Sequence, residues 1–203
     1  MSKTQPTVNN QTNAVYFYAT FAVMVTVMLP FEEDWQHHWR LSSETFFSEP
    51  WRLISGHFTH LNYMHAFTNC IGLLCIFVVS HKQISLRLWS IATLSLITLI
   101  DCSLYLRDDI WFYSGSSSLA IGLCSFGLVV LTTYPRLIKA VCLFCLGLAL
   151  LFSETPDYLS ANGYIGAKAQ HWVAFVGGTV LGLLQHVFNP TLKRAKSIKN
   201  SNQ

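Results

Sequence analysis

The sequence predicts an all-α, polytopic membrane protein with six transmembrane helices. Of its 203 residues, 52% are hydrophobic and only 11% are charged, whereas soluble domains carry about 25% charged residues. The mean hydropathy of +0.38 is too high for a small water-soluble domain. The charges are also clustered, which leaves several almost uncharged stretches of roughly 17–19 residues, and one chain of this size cannot bury them all in a core.

This composition excludes several classes of protein. A soluble enzyme and a disordered chain both carry more charged residues than this chain does. The net charge of +3 is mild, and the basic residues form no patch interleaved with exposed aromatic residues, so we expect no nucleic-acid partner.

Six apolar stretches are predicted to be helices, because a backbone in lipid must satisfy its own hydrogen bonds. A polar tail, residues 1–13, precedes the first span, Ala14–Pro30, which we interpret as a retained helix because no A-x-A-like cleavage site follows it. The further predicted spans are Tyr63–Ser80, Trp89–Leu106, Ser117–Thr133, Leu137–Phe152 and His171–Phe188. The prediction is therefore one membrane domain over residues 14–188, followed by a basic tail over residues 189–203.

The loop charges predict that both termini are cytoplasmic. With the N-terminus inside, nine of the lysines and arginines face the cytoplasm and the other four face outward, as the positive-inside rule requires. All ten acidic residues then lie outside. Spans two, four and six run from the outer face to the inner face, so their first residues are expected near the outer surface.

Three polar clusters lie where polar groups are costly, at the predicted outer ends of spans two, four and six. His65 and Asn69 are four residues apart and share one face of span two. Gly115-Ser116-Ser117-Ser118 opens span four, and His171 opens span six. The span boundaries do not depend on these residues, so their common depth independently indicates a functional site.

Spans four and six also carry small residues at the spacing that allows two membrane helices to approach closely. They are Ala174, Gly178 and Gly182 on the face of His171, and Ser118, Gly122 and Ser125 on span four. Packing these faces together would place a serine hydroxyl beside an imidazole, the arrangement of a nucleophile and its general base. Singly, each residue has a plainer explanation as a helix cap or a packing group; together, at one depth, they favour catalysis.

No metal or cofactor is expected. The six cysteines lie in or beside apolar stretches, where a free thiol behaves as a small hydrophobic group, and the C-x-x-C pair Cys142 and Cys145 has no second ligand pair nearby. His57 and His60 could suggest a metal site with His65, but no carboxylate or cysteine completes it. A structural, hydrogen-bonding role in the outer loop is the better interpretation of these two histidines.

The residues resemble the rhomboid family of intramembrane serine proteases. The stretch Trp51–Asn69 resembles the family's W-R segment followed by H-x-x-x-N, and Gly115-Ser116-Ser117 resembles the G-x-S of its G-x-S-G motif. His171, followed by Ala174 and Gly178, resembles its H-x-x-G-x-x-x-G, with Ala for the first Gly. The resemblance covers about residues 14–188 and implies a six-helix rhomboid-like bundle.

This resemblance implies a role for each polar cluster. It makes Ser117 the nucleophile and His171 its general base, in a dyad without a carboxylate. It assigns His65 and Asn69, with the backbone N–H of Ser117, to the oxyanion of the tetrahedral intermediate. Gly115 then allows the tight turn into span four.

Within the family, residues 55–62 look closest to the rhombosortase subgroup, although Ile121 stands where many of its members have His. That subgroup is bacterial and is thought to remove C-terminal sorting tails from exported proteins. The implied setting is the bacterial inner (plasma) membrane, with cleavage near its outer face. The implied partners are transmembrane or C-terminally anchored protein substrates and the lipid bilayer.

Two other functions stay open at this point. Ser118 stands where the family has Gly, which allows a catalytically inactive rhomboid-like protein that binds single-span membrane clients. A small transporter that relays protons through its histidines is disfavoured, because no acidic residue lies deep in a span. The nearest acid, Asp101, is expected to cap the outer end of span three rather than to orient His171.

Overall fold

The computed structural model describes residues 37–80, 83–107, 111–152 and 168–188, together with Tyr18, Ala19 and Ala22. Its elements in chain order are β1 (Leu41–Ser42), α1 (Arg52–Ser55), α2 (Tyr63–Ser80), α3 (Leu86–Tyr105), β2 (Phe112–Tyr113), α4 (Ser117–Val130), α5 (Arg136–Phe152) and α6 (Lys168–Phe188). Most of the predicted first span, and both predicted tails, lie outside the described residues.

The mostly helical class of the prediction is confirmed, and its membrane character is supported by three helices. By length and composition, α2, α3 and α6 could each cross a membrane. The apolar helix α4 has 14 residues, so its length is about 21 Å and falls short of a hydrocarbon core of about 30 Å. Large apolar side chains such as Phe67 and Val180 are exposed on the outward helix faces, as contact with lipid requires.

Several helix boundaries differ from the prediction: α6 begins three residues early, at Lys168, and α5 begins one residue early, at Arg136. Two further differences have identifiable reasons. Helix α3 begins three residues early, at Leu86, because the Ser85 hydroxyl accepts a hydrogen bond from the Leu88 backbone N–H at 3.3 Å and caps the helix. Helix α4 ends early, at Val130, where the Lys139 ammonium donates to the carbonyl of Leu131 at 2.7 Å. By contrast, α2 has the predicted bounds at both ends.

Contacts at one end of the bundle show that α2, α4 and α6 run in one direction and α3 runs in the opposite direction. At one end, the Gln83 side-chain oxygen, between α2 and α3, accepts from the Thr132 backbone N–H after α4 at 2.9 Å. At the same end, His186 Nε2, near the end of α6, donates to the carbonyl of Val129 at 2.9 Å. The start of α2, the end of α3 and the starts of α4 and α6 consequently lie together at the other end, which we call the outer end.

The closest helix pair is α4 with α6, and small residues allow it. A Cβ placed on Gly178 would lie 2.0 Å from the carbonyl oxygen of Gly122, and one on Gly122 would lie 3.0 Å from that of Ala174. The Ser125 hydroxyl donates across the interface to the carbonyl of Phe175 at 3.0 Å. The predicted contact between small faces is therefore observed, and it fixes the starts of both helices relative to each other.

Buried side chains form two clusters, and the outer one includes a short strand pair. The inner cluster surrounds Trp89 and Phe126, whose rings meet edge to face at 5.6 Å between centroids. The outer cluster contains Leu41, Trp111 and Tyr113. There, β1 pairs antiparallel with β2, and Leu41 lies opposite Tyr113. This two-residue ladder joins the segment before α2 to the residues that precede α4.

Candidate active site

The structure brings the predicted serine and histidine together. Ser117 is the first residue of α4 and His171 lies in the first turn of α6. The hydroxyl oxygen of Ser117 is 2.9 Å from Nε2 of His171, within the range for a nucleophile and its base. Both side chains are half-buried, so the pair lies at the outer end of the bundle without being sealed inside it.

The surroundings distinguish Ser117 from its two serine neighbours. Ser116 is 0% exposed, and its hydroxyl lies 3.3 Å from Nε2 of His60, a residue that is itself 1% exposed. Ser118 is also completely buried. The site thus contains two adjacent serine–histidine pairs, and of the three serines only Ser117 combines an imidazole partner with an accessible side chain.

The sealed pair is held in one hydrogen-bonding pattern. Nδ1 of His60 lies 3.0 Å from the carbonyl oxygen of Phe58, and because a carbonyl only accepts, this nitrogen carries the proton. Burial lowers the pKa of His60 to about 4, with a further decrease from neighbouring His65 and a smaller opposing effect of the Phe58 carbonyl. His60 is therefore neutral near pH 7, and its Nε2 accepts the hydroxyl proton of Ser116.

Gly115 and His65 are in direct contact. A Cβ on Gly115 would lie 2.6 Å from Cε1 and 3.0 Å from Nε2 of His65, and Gly115 has φ +118°, a conformation that favours glycine. The imidazole of His65 consequently lies against the turn that leads into Ser117. The sequence-based expectation of a tight turn at this glycine is observed.

Asn69 lies one turn further along α2 than His65. It is 7% exposed, and its amide nitrogen has no hydrogen-bond partner within the described part of the chain. An unpaired buried donor is costly. Asn69 therefore has a side-chain N–H group that is available to a bound acceptor.

In the described part of the chain, the N-terminus of α4 has N–H groups that no helical hydrogen bond uses. The Ala120 N–H donates to the Ser116 carbonyl at 2.8 Å and closes the first turn of the helix. The backbone N–H of Ser117 precedes that bond, and the first N–H groups of a helix have no partner within it. They also carry the partial positive charge of the helix terminus.

Each of the four residues that precede Ser117 is hydrogen-bonded to one short segment, Gly56–His60, which we call the cradle. Two of the bonds join side chains to histidines, one joins two hydroxyls, and one joins backbone groups. They connect Tyr113 Oη with His57 Nδ1 (3.4 Å), Ser114 Oγ with Thr59 Oγ1 (3.0 Å), Gly115 N with Gly56 O (3.0 Å) and Ser116 Oγ with His60 Nε2 (3.3 Å). The turn that delivers the serine is thus held at four successive positions.

Asp101 does not act as the predicted cap of α3. It lies in the last helical turns, and its carboxylate accepts from Nε2 of His57 at 3.1 Å, because the side chain turns into the bundle. His57 is completely buried. The predicted hydrogen-bonding role of His57 and His60 is confirmed, and within the described residues His171 has no ion pair with a carboxylate.

In the Trp51-Arg52 pair, the arginine side chain hydrogen-bonds to residues that precede the cradle in the sequence. The Arg52 guanidinium is buried and donates to the Glu49 carboxylate at 2.7 Å and to the Arg40 carbonyl at 2.9 Å, and it also donates to the His37 carbonyl. These bonds close the outer segment on itself. The arginine of the W-R stretch therefore positions the loop from which the cradle continues.

An apolar cavity of about 690 Å³ lies away from the serine–histidine pair. Its walls include Leu73 of α2, Trp89 of α3, Leu119 and Leu123 of α4, and Phe58 of the cradle. Neither Ser117 nor His171 lines it.

No protein-family model, curated protein or solved structure matches this chain. The geometry around Ser117 and the short motifs of the sequence are the features that indicate a function. Sequence reasoning identified Ser117, His171, His65 and Gly115, which the structure brings to one end of the bundle. It missed the pairing of Asp101 with His57 and the pairing of Ser116 with His60. In each case the two residues are far apart in the sequence and no single motif contains both.

Proposed function

We propose that this protein is an intramembrane serine endopeptidase that uses Ser117 and His171 as a catalytic dyad. The observation that carries the proposal is the 2.9 Å contact between their side chains, both of which are half-buried. A six-span rhomboid-like bundle in a bacterial inner membrane, with both termini cytoplasmic, belongs to the same proposal. It is supported by the three apolar helices and by the common direction of α2, α4 and α6, opposite to that of α3.

In the acylation step, the Ser117 oxygen attacks the carbonyl carbon of the scissile peptide bond while its proton passes to Nε2 of His171. The tetrahedral intermediate then collapses, the C–N bond breaks, and His171 gives the proton to the leaving amine. The substrate's N-terminal part stays attached to Ser117 as an ester. His171 is suited to this exchange because Nε2 faces the hydroxyl directly.

In the deacylation step, His171 takes a proton from a water molecule, which attacks the ester carbon. The second intermediate collapses, the proton returns to the Ser117 oxygen, and a carboxylate product leaves. This step needs water at the outer end of the bundle. The half-buried state of both dyad side chains supports such access.

The negative oxygen of each intermediate needs donors on one side of the dyad. The backbone N–H of Ser117, the unpaired amide of Asn69 and the imidazole of His65 are the candidates. One well-placed donor of this kind lowers the barrier by about 3–4 kcal/mol. Because these groups are already held in place before substrate arrives, they need little rearrangement during the reaction.

The substrates in this proposal are proteins with a transmembrane or C-terminally anchored segment, cut near the outer face of the membrane. Removal of C-terminal sorting tails, as in rhombosortases, rests on the resemblance of residues 55–62 to that subgroup. No nucleic acid and no cofactor takes part.

The proposal is tested by labelling the purified, membrane-reconstituted protein with a fluorophosphonate probe that reacts with activated serines. We expect labelling of the wild-type protein and its loss in Ser117→Ala, measured by mass spectrometry of the adduct. Ser116→Ala is the matched control: it also removes a serine hydroxyl, but one that is sealed against the probe, so the adduct should still form on Ser117, more slowly because one cradle bond is lost. Labelling that survives Ser117→Ala would contradict the assignment of the nucleophile.

The same preparation distinguishes a protease from an inactive client-binding protein. Incubation with membrane proteins from a host that lacks this chain should release cleaved products only with the wild-type serine. Binding of single-span clients that is equal in the wild type and in Ser117→Ala, without any cleaved product or label, would favour the binding function instead.

A further inference from the structure

The cradle is anchored to a different helix by one buried chain of three side chains. Asp101 of α3 contacts His57 at 3.1 Å, and His57 in turn contacts the hydroxyl of Tyr113 at 3.4 Å. The rings of His57 and Tyr113 also meet edge to face at 5.1 Å between centroids. The chain therefore runs from α3, through the cradle, to the strand that ends four residues before Ser117.

The chemistry of these three groups fixes the direction of their hydrogen bonds. A carboxylate only accepts, so Nε2 of His57 carries a proton and donates it to Asp101. With that proton on Nε2 and none on Nδ1, the Nδ1 lone pair accepts from the hydroxyl of Tyr113. Burial raises the pKa of the Tyr113 phenol, so the hydroxyl keeps its proton and serves as the donor. Without the Asp101 carboxylate the direction of these hydrogen bonds would no longer be determined, because either nitrogen of His57 could then carry the proton.

We propose that Asp101 is a positioning residue for the dyad, acting through His57 and Tyr113 on the turn that presents Ser117. This inference rests on the proposed protease function. Asp101 itself does not touch Ser117 or His171. It binds His57, which makes the first of the four cradle bonds, the one to Tyr113. The other three cradle bonds hold the next three residues, up to Ser116, which is adjacent to the nucleophile.

The position of the nucleophile depends on that anchor for a geometric reason. Gly115 has no side chain with which to pack, and its backbone N–H donates to the carbonyl of Gly56 in the cradle. The position of Gly115 therefore follows the position of the cradle. A shift of about 1 Å in a reacting group can lower the rate about 100-fold. Loss of the anchor is therefore expected to lower kcat, while the binding of substrate by other surfaces is little changed.

The test measures cleavage kinetics of Asp101→Leu, Asp101→Asn and Tyr113→Phe in the reconstituted full-length protein. We expect Asp101→Leu to lower kcat about 100-fold with little change in KM. Asp101→Asn should retain much more activity, because its amide oxygen still accepts from Nε2 of His57. Tyr113→Phe should cost about tenfold, the effect of one lost hydrogen bond.

Phe126→Leu in the inner cluster serves as the control for a general loss of stability. It should lower the thermal midpoint without lowering kcat. Equal kcat values for Asp101→Leu and the wild type, in a folded and active protein, would overturn the inference and leave the proposed function intact. So would a fall in kcat that Phe126→Leu reproduces at the same loss of stability.

A second measurement does not require catalysis. In ¹⁵N-histidine spectra we expect the His57 proton on Nε2, and we expect Asp101→Leu to shift the signal of His171 as well as that of His57, because Ser117 moves relative to its partner. An unchanged His171 signal in the folded variant would overturn the inference, even for a protein that cleaves no substrate. Absence of labelling and cleavage in the wild type, with the His171 shift present, would count against the proposed function alone.

Discussion

Gly115 shows how one residue without a side chain determines the geometry of the whole site. Its positive φ and its contact with the His65 ring are two independent reasons for glycine at this position. Ser117 lies only two residues further on. A change at Gly115 would therefore disturb the turn before Ser117 and displace the imidazole of His65 at the same time.

We expect Gly115→Ala to reduce both stability and cleavage. The left-handed backbone costs an alanine about 1–3 kcal/mol, and its methyl group would overlap the imidazole of His65. Chemical unfolding in detergent and the cleavage rate in liposomes measure the two effects. Gly72→Ala is the matched control on α2, since nothing lies within 4 Å of a Cβ there. Wild-type cleavage by Gly115→Ala would show that the His65 contact is not needed.

At the scale of elements, the site depends on how closely α4 and α6 approach. Ser117 and His171 belong to different helices, and glycines below them allow the backbones to touch. The distance between hydroxyl and imidazole is therefore set by packing deeper in the bundle, in addition to the bond between the two groups.

We expect Gly178→Val to separate the dyad. Its side chain would meet the backbone of Gly122, which cannot move aside as a flexible side chain can. Such overpacking costs about 1–3 kcal/mol, and fluorophosphonate labelling of Ser117 should fall together with stability. Gly72→Val places the same side chain in open space and should leave labelling unchanged. Full labelling of Gly178→Val would indicate that the helices have another way to meet.

The sequence contained enough information to predict these helices but not the segments between them. Apolar stretches identified both ends of α2 to the residue, and four-residue spacing identified the small faces of α4 and α6. The β1–β2 ladder has only two residues per strand, too few for a periodic pattern. The bond between His57 and Asp101 joins residues 44 positions apart, and no local rule pairs them.

At the scale of the whole molecule, the described helices place all candidate catalytic groups at one end. The opposite end is closed by Gln83, His186 and Lys139, which bind backbone groups around the end of α4. The basic residues of the sequence favour that opposite end for the cytoplasmic side. The outer location of the candidate site thus depends on charge distribution as well as on packing.

We expect reporter fusions in a bacterial host to show this orientation. Alkaline phosphatase, which is active only outside the cytoplasm, should be active when it is fused after Arg107 and inactive when it is fused after Tyr134. A cytoplasmic fluorescent reporter at the same two positions should give the opposite pattern and controls for expression. Phosphatase activity after Tyr134 but not after Arg107 would place the dyad on the cytoplasmic side.

The four bonds between the cradle and residues 113–116 also constrain how this protein can diverge. An insertion or deletion of one residue in either segment would put every later bond out of register, so both segments should keep their lengths while the outer loop before Arg52 varies. Substitutions are expected to come in pairs, with an acceptor lost at His60 when the hydroxyl of Ser116 is lost. Correlated change between these two short stretches is thus a signature by which distant relatives could be detected.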